Sequence, residues 1–383
     1  MECKKRKLHE SILSASLESV NPGDHGVLKS WQLIPILEDE VAAESVALVA
    51  VYADQISERK STSRLIQELN IVCPIPSLHH LKRASKSGVI LNLVGNDTPE
   101  SCVQNLIARG LNVTGLSCSP QKMLVPAIAP RTRRQFQEAT KSWPCNFHED
   151  KYLEKMLRGE LFTAMELLMH QNYMSRCLEA AKLSVSAGGA GVGALVVDPG
   201  SKQVIAVGYD DRGNHSLQHA VMVVVDLVAR SQGGGAWLLR DGQWHLGIET
   251  SHKDEVLHEH KRTKIESINV KLIKHCTEKL GEENISKENV ADESTASQDS
   301  KTGPYLCTGY EVYVTREPCA MCAMALVHSR AKRIFYGCAS TDGALGTKTK
   351  LHTLNALNHH YEVFSGILEE ECQEVQNVLT IKN

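Results

Sequence analysis

The chain has 383 residues, 42% of them hydrophobic and 23% charged, with a formal net charge of −3. This length allows two domains with cores of their own. The near-neutral charge argues against a uniformly basic nucleic-acid-binding protein but allows local basic patches. No hydrophobic run is long enough to span a membrane, so we expect no membrane partner.

The N-terminal residues and the cysteines of the sequence indicate the cellular location of the protein. The basic run Lys4–Lys7 has no hydrophobic segment behind it, which argues against a signal peptide. This run is a candidate nuclear address, although such runs are also ordinary solvated tails. The twelve cysteines are scattered from Cys3 to Cys372, which is typical of reduced intracellular thiols. We therefore expect a cytoplasmic or nuclear location, or both.

Residues 1–150 are predicted to form an N-terminal α+β domain. The predicted strands cover residues 31–37, 46–52, 78–85, 89–94 and 112–118, and the predicted helices cover 63–69 and 99–109. Thr98 is the predicted N-cap of the second helix, with Pro99 at its first position. The order strand, helix, strand, strand, helix, strand is that of a ferredoxin-like fold. Residues 151–164 then form a predicted linker.

Basic residues collect at two places in this domain. They are Lys82, Arg83, Lys86, Arg131, Arg133 and Arg134. Such clusters suit contacts with phosphate groups, and we predict that these six residues bind RNA. The alternative is a solvated surface without a partner.

Residues 165–383 have a different pattern. Helices are predicted at 170–187 and 319–329, and strands at 192–197, 204–209, 311–314 and 333–337. Residues 219–230 are ambiguous, because their valines favour a strand whereas hydrophobic residues on every side suit a buried helix. The order predicts an α/β/α sandwich with two helices on one face. Residues 233–303 interrupt it, and their polar composition predicts a largely disordered insertion.

A short motif in this half predicts a metal site. Cys319 and Cys322, in the run Pro-Cys-Ala-Met-Cys, lie one helical turn apart, so both thiols face the same point. A helix N-terminus favours thiolates, which are the form that binds metal. With His219 they would supply three of the four ligands that tetrahedral zinc needs. The alternatives are a redox pair or two buried thiols, and a histidine that simply belongs to the core.

The residue that follows His219 by two positions decides the function. Zinc nucleobase deaminases have the signature His-x-Glu followed by Pro-Cys-x-x-Cys, and the glutamate transfers protons during the reaction. Here that position is Val221, which can neither accept nor return a proton. General acid–base catalysis contributes about a hundred- to ten-thousand-fold to a rate. We therefore predict a chain that holds zinc but deaminates nothing.

With these residues the sequence resembles the cytidine-deaminase superfamily over about residues 165–383. The run from Thr315 to Met324 and the tail segments Gly343–Thr347, Leu357–His359 and Val363–Cys372 are similar to the tRNA adenosine deaminase branch. Val221 together with an extra N-terminal domain resembles the non-catalytic subunit 3 of the eukaryotic heterodimeric enzymes. That family deaminates adenosine to inosine at the tRNA wobble position.

The resemblance implies roles for individual residues. His219, Cys319 and Cys322 would be the zinc ligands, and Val221 would hold the vacated position of the catalytic glutamate. A catalytic subunit 2 would supply the active glutamate in a heterodimer, and tRNA would be the second partner. Active relatives carry a base-contacting asparagine where this chain has Asp210, which is an acceptor only when ionised.

Three functions follow from the sequence. The first is a non-catalytic, zinc-binding subunit that positions RNA, docked on its partner through the helices that contain Met222 and Met324. The second is a competent nucleobase deaminase in which Asp210 or Glu317 replaces the missing glutamate. The third is a zinc-stabilised scaffold that never contacts RNA.

Overall fold

A computed structural model describes residues 31–86, 88–237 and 304–382. The predicted insertion at 233–303 falls outside these ranges except for residues 233–237, and the basic run Lys4–Lys7 falls outside them as well. The described chain forms two sheets, one of six strands and one of four.

The strands and helices of both sheets are numbered here in chain order. The strands are β1 (Ile34–Pro35), β2 (Leu48–Asp54), β3 (Ala84–Ser85), β4 (Gly88–Leu93), β5 (Gln121–Pro126), β6 (Gly193–Asp198), β7 (Gln203–Tyr209), β8 (Glu311–Arg316), β9 (Arg333–Cys338) and β10 (Glu362–Ser365). The helices are α1 (Asp39–Ala42), α2 (Thr62–Val72), α3 (Pro99–Ala108), α4 (Arg133–Ser142), α5 (Lys151–Leu157), α6 (Ala164–Ser186), α7 (Ala220–Ser231), α8 (Ala320–His328) and α9 (Glu369–Lys382). Short 3₁₀ turns cover Arg59–Ser61, Pro76–Leu78 and Leu351–Thr353.

The small sheet has the order β3-β4-β2-β5, and all its neighbours are antiparallel. With α2 and α3 in the connections, this is the ferredoxin-like order that the sequence predicts. Leu65 and Leu69 of α2 pack with Leu106 of α3 on one face. The other face is covered by α4 and Trp143, which is fully buried. Both faces are therefore occupied by the chain itself.

Three predicted strands of the small domain are wrong in whole or in part. Of residues 78–85 only Ala84 and Ser85 form a strand, β3, and Leu78 ends a 3₁₀ turn. Residues 112–118 contain no strand, and only Leu116 makes an isolated bridge, to Ile56. The last strand is β5, which begins at Gln121; its polar, mostly exposed first half hides the usual alternation. The prediction for residues 31–37 is also corrected, because only Ile34 and Pro35 pair, and they pair with β10 of the large sheet.

The large sheet has the order β1-β10-β9-β8-β6-β7. Its central strands β8, β9 and β10 are parallel, and β1, β6 and β7 are antiparallel to their neighbours. Helices α6 and α9 cover one face, and α7 and α8 cover the other. The predicted α/β/α sandwich is confirmed, with both candidate metal-binding helices on one face.

The ambiguous segment after His219 is the helix α7. Its valines are compatible with a helix because Val221, Val224 and Val228 pack between the sheet and α8 in one core. Burial on nearly every side outweighs the strand preference of valine in this place.

Membrane spans and disulfides are absent from the described ranges. None of the helices in these ranges is long and apolar enough to cross a membrane. None of the cysteines in them is in a disulfide, and most of these thiols are buried.

Candidate metal centre

The candidate ligands lie where two helices begin. His219 is the N-cap residue of α7 and Cys319 is the N-cap residue of α8. The His219 side chain makes no capping hydrogen bond to α7, whereas the Sγ atom of Cys319 faces the first N–H groups of α8. Cys322 lies one turn further along α8 and is buried. Parallel β8 ends at Arg316, and the chain turns directly from it into the two cysteines.

The three side chains converge on one point. The ligand atoms of His219, Cys319 and Cys322 all lie within 4.8 Å of one another. The Sγ atom of Cys319 is 3.6 Å from Nδ1 of His219. Zn–S and Zn–N bonds of about 2.3 and 2.0–2.1 Å at a tetrahedral angle would place these two atoms about 3.6 Å apart. The donor set and the spacing therefore fit zinc.

The electrostatics of the two thiols also suit a metal. The pKa of Cys319 is lowered to about 5, first because Cys322 donates its S–H proton to it, and also because backbone N–H groups of Cys322 and Met321 point at it. The pKa of Cys322 is raised by that same hydrogen bond and by burial. The lowered pKa favours a thiolate at Cys319, which is the form that binds a metal.

A cavity of about 150 Å³ opens above these ligands. Val221 lines it and is only 2% exposed, so a methyl-bearing side chain lies where the sequence signature has a carboxylate. Arg212 and Arg316 also line the cavity and were not among the predicted site residues. Arg212 could have been found from its position two residues after Asp210, and Arg316 from its place in the cysteine motif.

Asp210 faces this cavity but is held by a neighbour. It is 2% exposed, and its Oδ1 and Oδ2 lie 3.0 and 2.9 Å from Nε of Arg212. The backbone carbonyl of Asp210 accepts a hydrogen bond from Ser184, which fixes the turn after β7. Both carboxylate oxygens of Asp210 are therefore engaged by Arg212.

Glu317, the other candidate replacement for the catalytic glutamate, is occupied by the loop after β9. Its carboxylate accepts hydrogen bonds from the backbone N–H groups of Ser340, Leu345 and Thr347 at 3.0 to 3.1 Å and from the Thr347 hydroxyl. A Cβ atom at Gly343 would overlap this carboxyl group. Glu317 lines the cavity and is only 4% exposed, and both oxygens of its carboxylate are engaged by the loop after β9.

Arg83 has a structural role, which argues against the prediction that it binds RNA. Its guanidinium group donates to the carbonyls of Ile90, Cys73 and Leu91 at 2.8 to 2.9 Å. Burial lowers the pKa of this arginine. A sequence cannot show this, because the three acceptors come from two other elements. Lys82 and Lys86, in contrast, are exposed.

The predicted cluster of Arg131, Arg133 and Arg134 lies at the start of α4. Lys82 lies at the other end of this helix, where its backbone bonds to Trp143 and Pro144. The length of α4, about 15 Å, therefore separates Lys82 from the cluster. Each of these arginines is paired with a glutamate. The pairs are Arg131–Glu38 at 3.4 Å, Arg133–Glu149 at 2.8 Å and Arg134–Glu44 at 2.8 Å. The arginine side chains are 55 to 69% exposed, so the pairs remain open to solvent.

Comparisons with known proteins match both halves of the chain. The MafB19-like deaminase family matches residues 168–379, and the tRNA-specific adenosine deaminase TAD3 N-terminal domain matches residues 49–143. A relative from Danio rerio, described as "Probable inactive tRNA-specific adenosine deaminase-like protein 3", is 37% identical over 362 residues. That alignment covers 90% of this chain and 94% of the relative.

More distant matches extend this comparison. The "tRNA-specific adenosine deaminase subunit tad3" of Schizosaccharomyces pombe is 27% identical over 246 residues, covering 63% of this chain and 58% of its own. A solved structure from "Biochemical and Structural Studies of A-to-I Editing by tRNA:A34 Deaminases at the Wobble Position of Transfer RNA" has a TM-score of 0.33. It is 18% identical and covers 54% of this chain and 99% of that chain.

Proposed function

Because the chain belongs to the family of tRNA-specific adenosine deaminase-like protein 3, we propose that it is the zinc-binding subunit of a heterodimeric tRNA wobble adenosine deaminase. It is a deaminase-like protein without activity of its own. Four relatives described as "Probable inactive tRNA-specific adenosine deaminase-like protein 3" confirm that prediction.

One observation carries the proposal: the metal ligands are complete while the proton-transferring residue is absent. His219, Cys319 and Cys322 meet at a spacing that fits zinc, and Val221 lines the same cavity. A bound zinc ion would supply a fixed positive charge and a cross-link between α7 and α8. With zinc bound, these residues would hold the two helices together, which suits a subunit whose site has become structural.

The structure weakens the rival in which another carboxylate restores catalysis. Glu317 is saturated by the loop that it organises, and Asp210 is held by Arg212. Neither carboxylate is placed to move a proton. The active glutamate then has to come from a partner, as expected for a deaminase subunit.

Reconstitution tests this function. The purified chain, a glutamate-bearing deaminase subunit recovered with it from cells, and the two together would each be assayed for inosine in tRNA. We expect activity only from the complex, and about one zinc ion per copy of this chain. Deamination by the isolated chain would contradict the proposal, as would a chain recovered without a deaminase partner.

Binding of tRNA by the small domain is the second part of the proposal. It rests on the exposed basic residues at the two ends of α4, and its rival is a scaffold that never contacts RNA. Reversing the charges of Arg131, Arg133 and Arg134 should weaken tRNA binding. The slope of log K against log salt should fall by up to about 0.7–0.9 for each phosphate that these arginines no longer neutralise.

Reversal of exposed Arg109, the C-cap residue of α3 in the same domain, provides the control for that experiment. Identical salt slopes in the triple variant and the wild type would leave the three arginines as a solvated surface. Absence of any crosslink between this chain and tRNA in the complex would favour the scaffold.

A further inference from the structure

The two sheets are joined by two passages of the chain, and both contact the N-terminal end of α4. The first passage runs from β1 to β2 and contains α1, and the second runs from α4 to α6 and contains α5. Because the arginines of the proposed RNA-binding surface also lie at this end of α4, the geometry of the junction controls where they point.

A buried amide fastens α4 to the first passage. Gln135 is 1% exposed, and its Nε2 donates to the carbonyls of Glu40 and Ala43 at 2.7 and 3.0 Å. Its Oε1 accepts from the backbone N–H of Arg131 at 2.9 Å. The N–H groups and the oxygen of this buried amide thus all have hydrogen-bond partners. If α1 moved away, the buried N–H groups would lose theirs.

The first passage is itself anchored to the large sheet. Ile34 and Pro35 pair with β10, and the N–H of Ile36 donates to the carbonyl of Val363 at 2.9 Å. The carbonyl of Ile36 lies 2.9 Å from Nε2 of buried His352. Gln135 therefore connects the small domain to the edge of the deaminase-like sheet.

The second passage holds α4 from the other side. Glu154 of α5 accepts the backbone N–H of Arg133 at 2.6 Å, which occupies one of the free donors at the start of α4. The guanidinium group of Arg133 makes two bonds to Glu149, at 3.1 and 2.8 Å, just before α5. Helix α5 is thus bonded directly to the start of α4.

The side chain of Tyr152 bonds α5 to the edge of the large sheet. The hydroxyl of Tyr152 donates to Glu362 at 2.9 Å and accepts from Arg333 at 3.1 Å. Glu362 and Arg333 are the first residues of β10 and β9 and pair with each other. Met156, on the same helix, is 7% exposed in the core of α6 and α9. Packing of Met156 therefore holds α5 against this core, and the hydrogen bonds of Tyr152 fix the orientation of the helix relative to β9 and β10.

We propose that Gln135 and Tyr152 are positioning residues, which together fix α4 and its arginines relative to the metal centre. This inference rests on the proposed function, because its purpose is to present tRNA held by the small domain to the paired deaminase subunit. Parallel strand β9 runs from Arg333 at the junction to Cys338, which pairs with Arg316 at the rim of the cavity, so the two places share one strand.

The variant Tyr152→Phe tests this, because it removes one hydroxyl and keeps the ring. In the reconstituted complex we expect the KM for full-length tRNA to rise about three- to tenfold, the range that one net hydrogen bond supplies, with kcat unchanged. Zinc content and affinity for the partner should not change. In the chain alone, amide hydrogen exchange within α5 should speed up while exchange in α7 and α8 stays the same.

Two comparisons sharpen the test. Tyr305→Phe, at a tyrosine that is 65% exposed, is the matched control and should behave as wild type. Gln135→Met, which keeps the length of the side chain, should act in the same direction as Tyr152→Phe. Wild-type KM and wild-type exchange in both variants would overturn the inference. Amide hydrogen exchange is measured on the chain alone and needs neither the partner nor tRNA. An inactive reconstituted complex would therefore count against the proposed function, while the exchange rates would still decide the role of these two residues.

Discussion

The charged and polar residues at the two ends of the parallel strands β8 and β9 differ in whether they bond to one another or face a cavity. At their amino ends Arg333 lies 3.0 Å from Glu311 and 2.6 Å from Glu362. The charges there satisfy one another. At the carboxyl ends, His219 and the two cysteines lie around a cavity with their ligand atoms facing one point.

The comparison gives a criterion for separating structural charge from chemistry. Groups that saturate one another hold elements together, whereas groups that leave lone pairs directed at a common point can bind a ligand. Glu317 lies at the carboxyl ends but belongs with the structural charges, since the loop after β9 donates hydrogen bonds to both its carboxylate oxygens. Position beside a cavity is therefore not sufficient for a role in it.

The largest expected effect comes from the metal ligands. Cys322→Ala should lower zinc content from about one ion per chain to almost none. Where free zinc stands at about a thousand times its Kd, the lost linkage amounts to about 4 kcal/mol of the free energy of unfolding. Metal analysis together with urea denaturation measures both quantities.

Cys177→Ala is the matched control, because it removes the same atoms from a fully buried cysteine on the other face of the sheet. Its zinc content should be that of the wild type, and its destabilisation should be only about 1 kcal/mol. Unchanged zinc in Cys322→Ala would remove this residue from the ligand set.

The metal centre was accessible to sequence reasoning because its chemistry is local. Cys319 and Cys322 lie within one helical turn, and the strand before them and the helix that holds them could be read from adjacent residues. The position of His219 could be inferred only from the deaminase signature, since 100 residues separate it from Cys319. The ferredoxin-like order was also predictable, because it follows from the order of strands and helices.

The junction was not accessible in this way. Nothing near Arg131 or Arg134 indicates that Glu38 and Glu44 will be their partners, about ninety residues earlier. Of the predicted strand at 31–37, Ile34 and Pro35 pair with β10 of the large sheet. This partner lies more than 300 residues later in the chain, so the local sequence could not identify it. Hydrophobic patterns report which residues are buried and do not report against which sheet.

The second prediction concerns the saturated carboxylate at the cavity. Glu317→Gln turns one acceptor oxygen into a donor facing N–H groups, which should cost about 3 kcal/mol of stability. Zinc content should stay at about one ion per chain, in contrast to Cys322→Ala. Thermal unfolding and metal analysis on the same sample test this. Wild-type stability would show that the loop after β9 does not depend on the carboxylate.

The third prediction concerns His170 of α6, near the amino ends of the strands. Its ring lies 2.7 Å from the Tyr313 hydroxyl, and burial lowers its pKa to about 4 from an ordinary value of 6.5. The unfolded chain therefore binds the proton more readily, so the stabilisation is complete above pH 6.5 and is lost as pH falls toward 4. We expect a loss of about 2 kcal/mol between about pH 7.5 and pH 5.

His170→Phe should remove this part of the pH dependence, as measured by urea denaturation at the two pH values. His148→Phe, at an exposed histidine before α5, is the matched control. Both variants keep the metal centre, so metal release at low pH is common to them. Equal pH dependence in His170→Phe and the wild type would assign the effect to other groups.

The smallest expected effect is on activity, and it tests how completely the carboxyl ends have lost their chemistry. Val221→Glu restores the residue type that transfers protons in the deaminases, and a site lacking only that group would regain part of about a hundred- to ten-thousand-fold. We expect the isolated variant to form no inosine in tRNA. Asp210 remains paired with Arg212 at the cavity, so a base could not be held in place for reaction. Val221 is also 2% exposed within a hydrophobic core, and an unpartnered carboxylate there should lower stability. Val221→Gln, similar in size but unable to transfer a proton, is the control for that loss. Inosine formation by Val221→Glu without a partner would show that the cavity still accepts a base and that one substitution had silenced it.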